Sequence, residues 1–318
     1  MGSIDPRKFA TAESIEELHG LLATARMSPG WNKAEAALWP TPKRSFVPAH
    51  WSYALAKPAL DAAGGFVSTE LAERRNLILS NPIPGNSYAT ARTMVAAYQT
   101  VEPGEAARSH RHTPNALRLI VETQPGSFTV VNGKKIPMLP GDVILTPSWS
   151  WHGHRNESRA RAYWIDFLDA PLVQLLEPMF FEPFPGSVET TDEIDERSPM
   201  RFAWADTSRN LASQPDSPSG HSEILLGPPA LSSMALYVSR LDAGAERTRG
   251  RTTANCIFAV IDGAGISSVE DSVFEWRRGD VFVVPAWREH RLRAHTQSYL
   301  LRVTDEPVLA RLGWLRKV

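Results

Sequence analysis

Two stretches of this chain carry the same punctuation in the same order, and that duplication constrains the fold more than any other feature. In the first, Gly104 precedes His110 by a five-residue gap, and Gly141 is followed by Pro147, Trp149 and His152. In the second, Gly244 precedes Gly250 by the same gap, and Gly279 is followed by Pro285, Trp287 and His290 at the same spacings. An aspartate follows the second glycine in each copy, as Asp142 and Asp280. A series of this kind marks one structural unit repeated within a chain.

The texture of each unit is that of short strands. Ala116 to Glu122, Ser127 to Val131, Asp142 to Leu145 and Ala162 to Phe167 are apolar runs bounded by Gly, Pro or Asn. Met234 to Leu241, Cys256 to Ile261, Val281 to Val284 and Tyr299 to Val303 repeat that texture. Asn132-Gly133 predicts a hairpin turn, since both residues tolerate positive φ. The 25 prolines favour turns over long helices. Residues 1–90 read as a helical segment. Ser14 and Glu17 form a capping box ahead of Ile15, Leu18, Leu21 and Leu22. A second helix is expected from Ser68 or Thr69, carrying Leu71, Arg74 and Arg75. Residues 91–176 then form one β-barrel. Residues 177–222, proline-rich and then acidic and polar, form a linker. Residues 223–318 form a second barrel closed by a helix over Pro307 to Trp314.

Charge and composition exclude several classes. A net charge of −1 over 318 residues gives no electrostatic case for nucleic acid or an anionic membrane as partner. No apolar run approaches the ~20 residues that span a bilayer. The start lacks an apolar signal core. Cys256 is the single cysteine, so no intrachain disulfide forms, which fits a reducing cytoplasm.

The chemistry concentrates in the first copy. Alternate residues of a strand share a face, so His110 and His112 point the same way. His152, after a turn, is placed to complete a site from the opposite wall. Three neutral imidazoles around one ion leave positions open for substrate and for oxygen or water. A bare His-x-His beside Arg108 and Arg111 could instead be a surface pair; the glycine spacing, Pro147 and His152 argue for a metal site. The second copy has Gly250 and Thr252 in place of the pair and keeps only His290, so it is expected to be metal-free.

These residues also resemble a known family. Gly104-x5-His110-x-His112 and Gly141-x5-Pro147-x4-His152-x3-Asn156 are similar to the two cupin motifs. The stretches His110 to Arg118 and Thr146 to Asn156 resemble more specifically the bicupin, ring-cleaving dioxygenases of gentisate and related salicylates. That likeness extends to Glu73-Arg74-Arg75, Asn81-Pro82 and Asp166. It implies a mainly β bicupin, two jelly-roll barrels with an N-terminal helical segment, assembled as a homotetramer. It implies Fe(II) held by His110, His112 and His152. Ala116 and Leu117 stand where many cupins supply a glutamate ligand, which matches a three-histidine site.

By the same resemblance Arg118 grips the substrate carboxylate, a task suited to a guanidinium fork. Arg74 resembles a second pocket arginine, though on its predicted helix it also reads as a solvated charge. His154 resembles a histidine that contacts substrate oxygens and moves a proton, Asp166 the carboxylate that orients it, and Gln99 a pocket glutamine. Trp149 and Trp151 read as packing. The implied activity is extradiol-type: O2 is inserted between the carboxyl-bearing and hydroxyl-bearing carbons of a small aromatic hydroxy acid. Leu119 after Arg118, and Ala97-Tyr98 before Gln99, depart from the usual gentisate pattern. A substituted salicylate such as 5-nitrosalicylate is therefore weighed beside gentisate. Two other readings stand beside this one. A zinc ion on the same histidines would activate water for hydrolysis, and a non-catalytic bicupin would only bind an aromatic acid.

Overall fold

A computed structural model of the chain describes residues 5–31, 38–68, 75–215, 217–228 and 230–318. Residues up to Lys43 form one compact unit and Arg44–Val318 another. In the first unit lie α1 (Arg7–Ala10) and α2 (Ile15–Thr24). The capping box forms as expected: the Ser14 hydroxyl accepts from the Glu17 N–H, and the Glu17 carboxylate accepts from the Glu13 N–H.

The second unit is built almost wholly of antiparallel strands. In chain order these begin β1 (Ala49–Trp51), β2 (Arg75–Ile78), β3 (Val95–Val101), β4 (Ala106–His112), β5 (Ala116–Glu122), β6 (Ser127–Val131) and β7 (Lys134–Pro137). They continue with β8 (Val143–Thr146), β9 (His152–Asn156), β10 (Ala162–Leu168), β11 (Phe181–Pro183), β12 (Arg201–Phe202), β13 (His221–Leu225) and β14 (Ala235–Leu241). The last are β15 (Glu246–Arg249), β16 (Cys256–Asp262), β17 (Ala264–Val269), β18 (Ser272–Arg277), β19 (Val281–Val284), β20 (His290–Ala294) and β21 (Ser298–Thr304). Helices α3 (Tyr53–Gly64), α4 (Ala170–Leu176), α5 (Trp204–Ala212) and α6 (Glu306–Arg311) flank them.

Two sheets face each other in each barrel. The first barrel pairs β12-β8-β5-β10-β3-β2 with β11-β4-β9-β6-β7, and the second pairs β1-β19-β16-β21-β14-β13 with β15-β20-β17-β18. The Asn132-Gly133 turn between β6 and β7 has positive φ at both residues, as its sequence requires. Alternation sets the layers. On β10, Tyr163, Ile165 and Phe167 face a core shared with the second barrel, while Ala162 and Trp164 face the first barrel's own interior. Leu236, Val238, Ile257, Val281, Leu301 and Val303 meet them from the other side. Both faces of these strands are buried, which is why they read as unbroken apolar runs.

The repeated Gly-Asp pair has a repeated task. Gly141 and Gly279 adopt φ of +87° and +85°, and each admits an aromatic ring from outside the barrel. A Cβ would lie 2.7 Å from the Trp204 ring at Gly141 and 2.6 Å from the Tyr53 ring at Gly279. The following aspartate pins the same segment: Asp142 accepts from the Trp204 N–H and Arg201, and Asp280 from the Tyr53 N–H.

Two sequence expectations need correction. Residues 1–90 are not purely helical, because β1 pairs with β19 of the second barrel and β2 with β3 of the first. Arg75, expected on a helix, opens β2; it is buried against Glu105 and the Val67 carbonyl. The rest of that helix candidate, with Arg74, lies outside the described residues. Residues 177–222 do more than link. β11 pairs with β4 and β12 with β8, so this segment adds an edge strand to each sheet of the first barrel. Unpaired edge groups on β4 and β8 are thereby satisfied.

Candidate metal centre

His110 and His112 end β4, and His152 begins the adjacent β9 with His110 directly opposite. One ring nitrogen from each of the three lies within 4.8 Å of the others. Ligands about 2.1 Å from one ion stand roughly 3–4 Å apart, so the cluster is of the right size for a single metal. Backbone carbonyls fix the rings. With the proton on Nδ1, His112 donates to the Pro114 carbonyl at 2.8 Å and His152 to the Ser150 carbonyl at 2.9 Å. Nδ1 of His110 lies 3.4 Å from the Arg108 carbonyl. That tautomer turns the Nε2 lone pairs of His112 and His152 into the cluster, the usual arrangement behind a metal-binding histidine. Burial, and then the neighbouring His110, His112 and Arg118, hold His152 well below the ordinary imidazole range. It is therefore neutral, the form that can bind a metal.

The turn that delivers His152 is strained. Trp149 has φ of +64°, a region unfavourable for a bulky residue. Its N–H donates to the His112 carbonyl at 2.9 Å, which ties the turn to the ligand strand. Trp287 repeats this conformation with φ of +63° and donates to Thr252. The rings of Trp149 and Trp151 both stack on the Arg111 guanidinium, each at 4.5 Å, and Trp149 is 41% exposed.

A buried polar network lies behind the histidines. Asp166 on β10 faces Arg118 on β5. Its Oδ1 accepts from Arg118 Nε at 3.2 Å and Trp164 Nε1 at 3.0 Å, and its Oδ2 from Gln99 Nε2 at 2.6 Å. Arg118 also donates from Nη1 to Thr129 and from Nη2 to Thr146, each at 3.1 Å. Thr129 Oγ1 lies 3.4 Å from His154 Nδ1, and the His154 ring packs on Trp164 with 4.7 Å between centroids. The structure thus brings together Gln99, Arg118, His154 and Asp166 in one interior, with Asp166 linked to His154 through Arg118 and Thr129. All four are at most 3% exposed. Among the described residues the carbonyl oxygen of Gln99 is buried without a protein partner.

Thr146, which opens the stretch Thr146 to Asn156, belongs to this network, as do Thr129 and Trp164, which are not evident from motifs. Their signal is a polar group at an inward position of an otherwise apolar strand. Phe181, on the segment expected as linker, packs on His110 at 5.1 Å.

Two antiparallel barrels with a three-histidine cluster in one of them define a bicupin with one candidate metal centre. Comparison with known proteins agrees and goes further. Residues 97–168 match the cupin domain family model. A gentisate 1,2-dioxygenase from Streptomyces sp is 34% identical, the match covering 95% of this chain and 94% of the relative. A 5-aminosalicylate 1,2-dioxygenase from Comamonas sp is 31% identical, covering 98% and 91%. The crystal structure of salicylate 1,2-dioxygenase from Pseudoaminobacter salicylatoxidans, an adduct with gentisate, superposes with a TM-score of 0.89. That match has 29% identity and covers 97% of this chain and 94% of the other. The chain belongs to the gentisate and salicylate 1,2-dioxygenase family of ring-cleaving oxidoreductases. No helix among the described residues is long and apolar enough to cross a membrane.

Proposed function

We propose that the chain is an Fe(II)-dependent dioxygenase that opens the ring of an aromatic ortho-hydroxy acid, gentisate or a substituted salicylate. Both atoms of O2 enter the product, between the carboxyl-bearing carbon and its hydroxylated neighbour. The observation that carries this reading is the joining of three clustered imidazoles to a buried Arg118 in the same barrel. The histidines would hold Fe(II), which when bound supplies the redox chemistry that lets O2 react with the ring. A site with three neutral ligands leaves the ion's charge uncompensated, which favours an anionic, chelating substrate.

The chain's own residues supply the rest. Arg118 provides positive charge for the substrate carboxylate, and its orientation is fixed by Asp166, Thr129 and Thr146. Gln99, anchored through its amide nitrogen on Asp166, offers its carbonyl oxygen to a substrate hydroxyl. With Thr129 donating to Nδ1, the His154 proton sits on Nε2, the atom through which this ring would exchange a proton with the phenolic oxygen. Arg74 is proposed as a second contact by resemblance only. The division into an N-terminal segment, an active barrel, a connecting segment and a metal-free barrel follows the repeat. A homo-oligomer, a tetramer by resemblance, is supported by the run 175–181, where Leu175, Leu176, Met179, Phe180 and Phe181 are exposed. Sedimentation tests it. A cytoplasmic setting is supported by the single, free Cys256.

The deciding experiment is oxygen uptake by anaerobically Fe(II)-loaded protein across gentisate, salicylate, 5-aminosalicylate and 5-nitrosalicylate. Uptake with ring opening is expected for at least one. No uptake with any hydroxybenzoate, or full zinc occupancy with hydrolysis instead, overturns the proposal.

A further inference from the structure

The second barrel has lost its metal ligands, and the residues that replace them share one sign. β15 and β20 repeat β4 and β9. In the first barrel His110 stands opposite His152; in the second, Arg249 stands opposite His290. Counting from the preceding glycine assigns this place to Gly250, but β4 carries a bulge between Ala107 and His110 and β15 carries none. β21 repeats β10 residue for residue, and there Asp166 becomes Arg302. Arg118, which faces Asp166, becomes Phe258, which faces Arg302. An interior arranged around a cation has become one lined by cations.

These side chains surround a cavity of about 240 Å³. Arg302 and His290, each 4% exposed, lie deep in it, while Arg247, Arg251 and Lys317 stand nearer the mouth. Two carboxylates balance part of the charge. Glu223 takes Arg249 and Arg302, and Glu306 takes Lys317 at 3.2 Å and lies 3.9 Å from Arg302. Arg247 and Arg251 have no ion pair among the described residues. The polar groups inside are only partly used. Among the described residues neither ring nitrogen of His290 has a protein partner, and the same holds for Arg302 Nε and Arg247 Nε. Orphaned buried donors of this kind are costly unless something polar meets them. Burial, and then Arg249, Arg302 and Arg247, push His290 down to about 3, so its ring is neutral and offers one donor and one acceptor.

We infer that the interior of the second barrel is a binding site for a small acyclic dicarboxylate. One carboxylate meets Arg302 and His290 at the bottom, and the other meets Arg247 and Arg251 at the rim. Two sets of cations, one buried and one more exposed, around a cavity too small for a large ligand favour a short dianion over a monoanion. The inference is independent of what the first barrel catalyses.

Calorimetric titration of the metal-loaded protein with succinate, beside acetate and inorganic phosphate, tests it. Succinate is expected to bind one site per chain, at least tenfold more tightly than either comparison anion. Arg247→Gln removes a cation that no carboxylate pairs. It is expected to weaken succinate about tenfold or more, the scale of one charge-assisted hydrogen bond. A thermal melt within a few degrees of wild type shows that this variant folds. His110→Ala, which dismantles the first-barrel site, is expected to leave succinate binding unchanged. The inference is overturned if 10 mM succinate does not bind, as a ~10 mM ceiling on an already weak interaction. It is overturned equally if Arg247→Gln binds as wild type, if His110→Ala abolishes binding, or if acetate or phosphate binds as tightly.

Discussion

The Arg118–Asp166 pair invites a test in which two substitutions cost less than one. Asp166→Asn keeps the shape and removes the charge. The hydrogen bonds survive this change: the Asn oxygen still accepts from Arg118 Nε and Trp164 Nε1, and Gln99 rotates its amide to accept from the new NH2. What remains is a guanidinium at 1% exposure that has lost the carboxylate facing it. Breaking a buried pair from one side costs about 3–5 kcal/mol. Replacing both partners with neutral polar groups removes the desolvation cost along with the attraction and still leaves acceptors for Trp164 Nε1 and Gln99 Nε2. Arg118→Gln with Asp166→Asn is therefore expected to lie within about 2 kcal/mol of wild type. Equilibrium urea unfolding of metal-free protein, followed by tryptophan fluorescence, measures all the variants in one cycle. Oxygen uptake should fall at least about a hundredfold, roughly 3 kcal/mol, in the double variant, because it lacks the oriented charge. The double variant would then be stable and inactive, which separates the catalytic need from the folding need. A double variant as unstable as Asp166→Asn, or an Asp166→Asn cost below about 1 kcal/mol, refutes the reasoning.

Alanine at His110, His112 or His152 should each abolish stoichiometric metal binding, read by elemental analysis after dialysis; retention of full occupancy by any one would remove that histidine from the ligand set. Gly279→Ala should destabilise by about 2 kcal/mol or more, because φ of +85° is unfavourable for alanine and its Cβ would lie 2.6 Å from the Tyr53 ring; thermal melts check this. The folded His290, at about 3, refuses a proton that the unfolded chain accepts below about 6.5. Stability is therefore lost as pH falls through that window, by roughly 2 kcal/mol at pH 5. His290→Gln should remove this slope in urea melts at pH 7, 6 and 5. Burial raises Glu223, but Arg302 and Arg249 outweigh it and hold the carboxyl at about 2. Its stabilising contribution is complete above about 4.5 and fades only below, outside that window.

The three-histidine cluster was legible because spacing encodes it. A strand alternation places His110 beside His112, and the Gly141-to-His152 count places the third. The strands of both barrels were legible because each is an apolar run of four or more residues between turn formers. What escaped notice did so for physical reasons. β11 and β12 span three and two residues, too short for any period to appear, and their place is fixed only by the open edges of β4 and β8. Arg75 lay at helical spacing from Leu71, but pairing with β3 and an ion pair to Glu105 decide its conformation. Thr129 was hidden within an apolar strand because its neighbours in sequence face the other way. The role of Arg249 was concealed by a bulge, a feature of pairing that residue counting does not see.

Strand period also explains how one barrel could change its interior while keeping its place in the molecule. On β5, Leu117, Leu119 and Val121 face the shared core, and Arg118 and Ile120 face inward. On β16, Ile257, Ala259 and Ile261 face the shared core, and Phe258 and Val260 face inward. The surface that joins the barrels and the surface that lines each cavity therefore occupy alternate positions of the same strands. A substitution inside, from Asp166 in one barrel to Arg302 in the other, leaves every residue of the joint in place. The Gly-Asp turns that fasten Trp204 and Tyr53 are outside the cavities as well, and both copies keep them. The second barrel can thus retain everything needed to complete the fold while its interior answers to a different ligand.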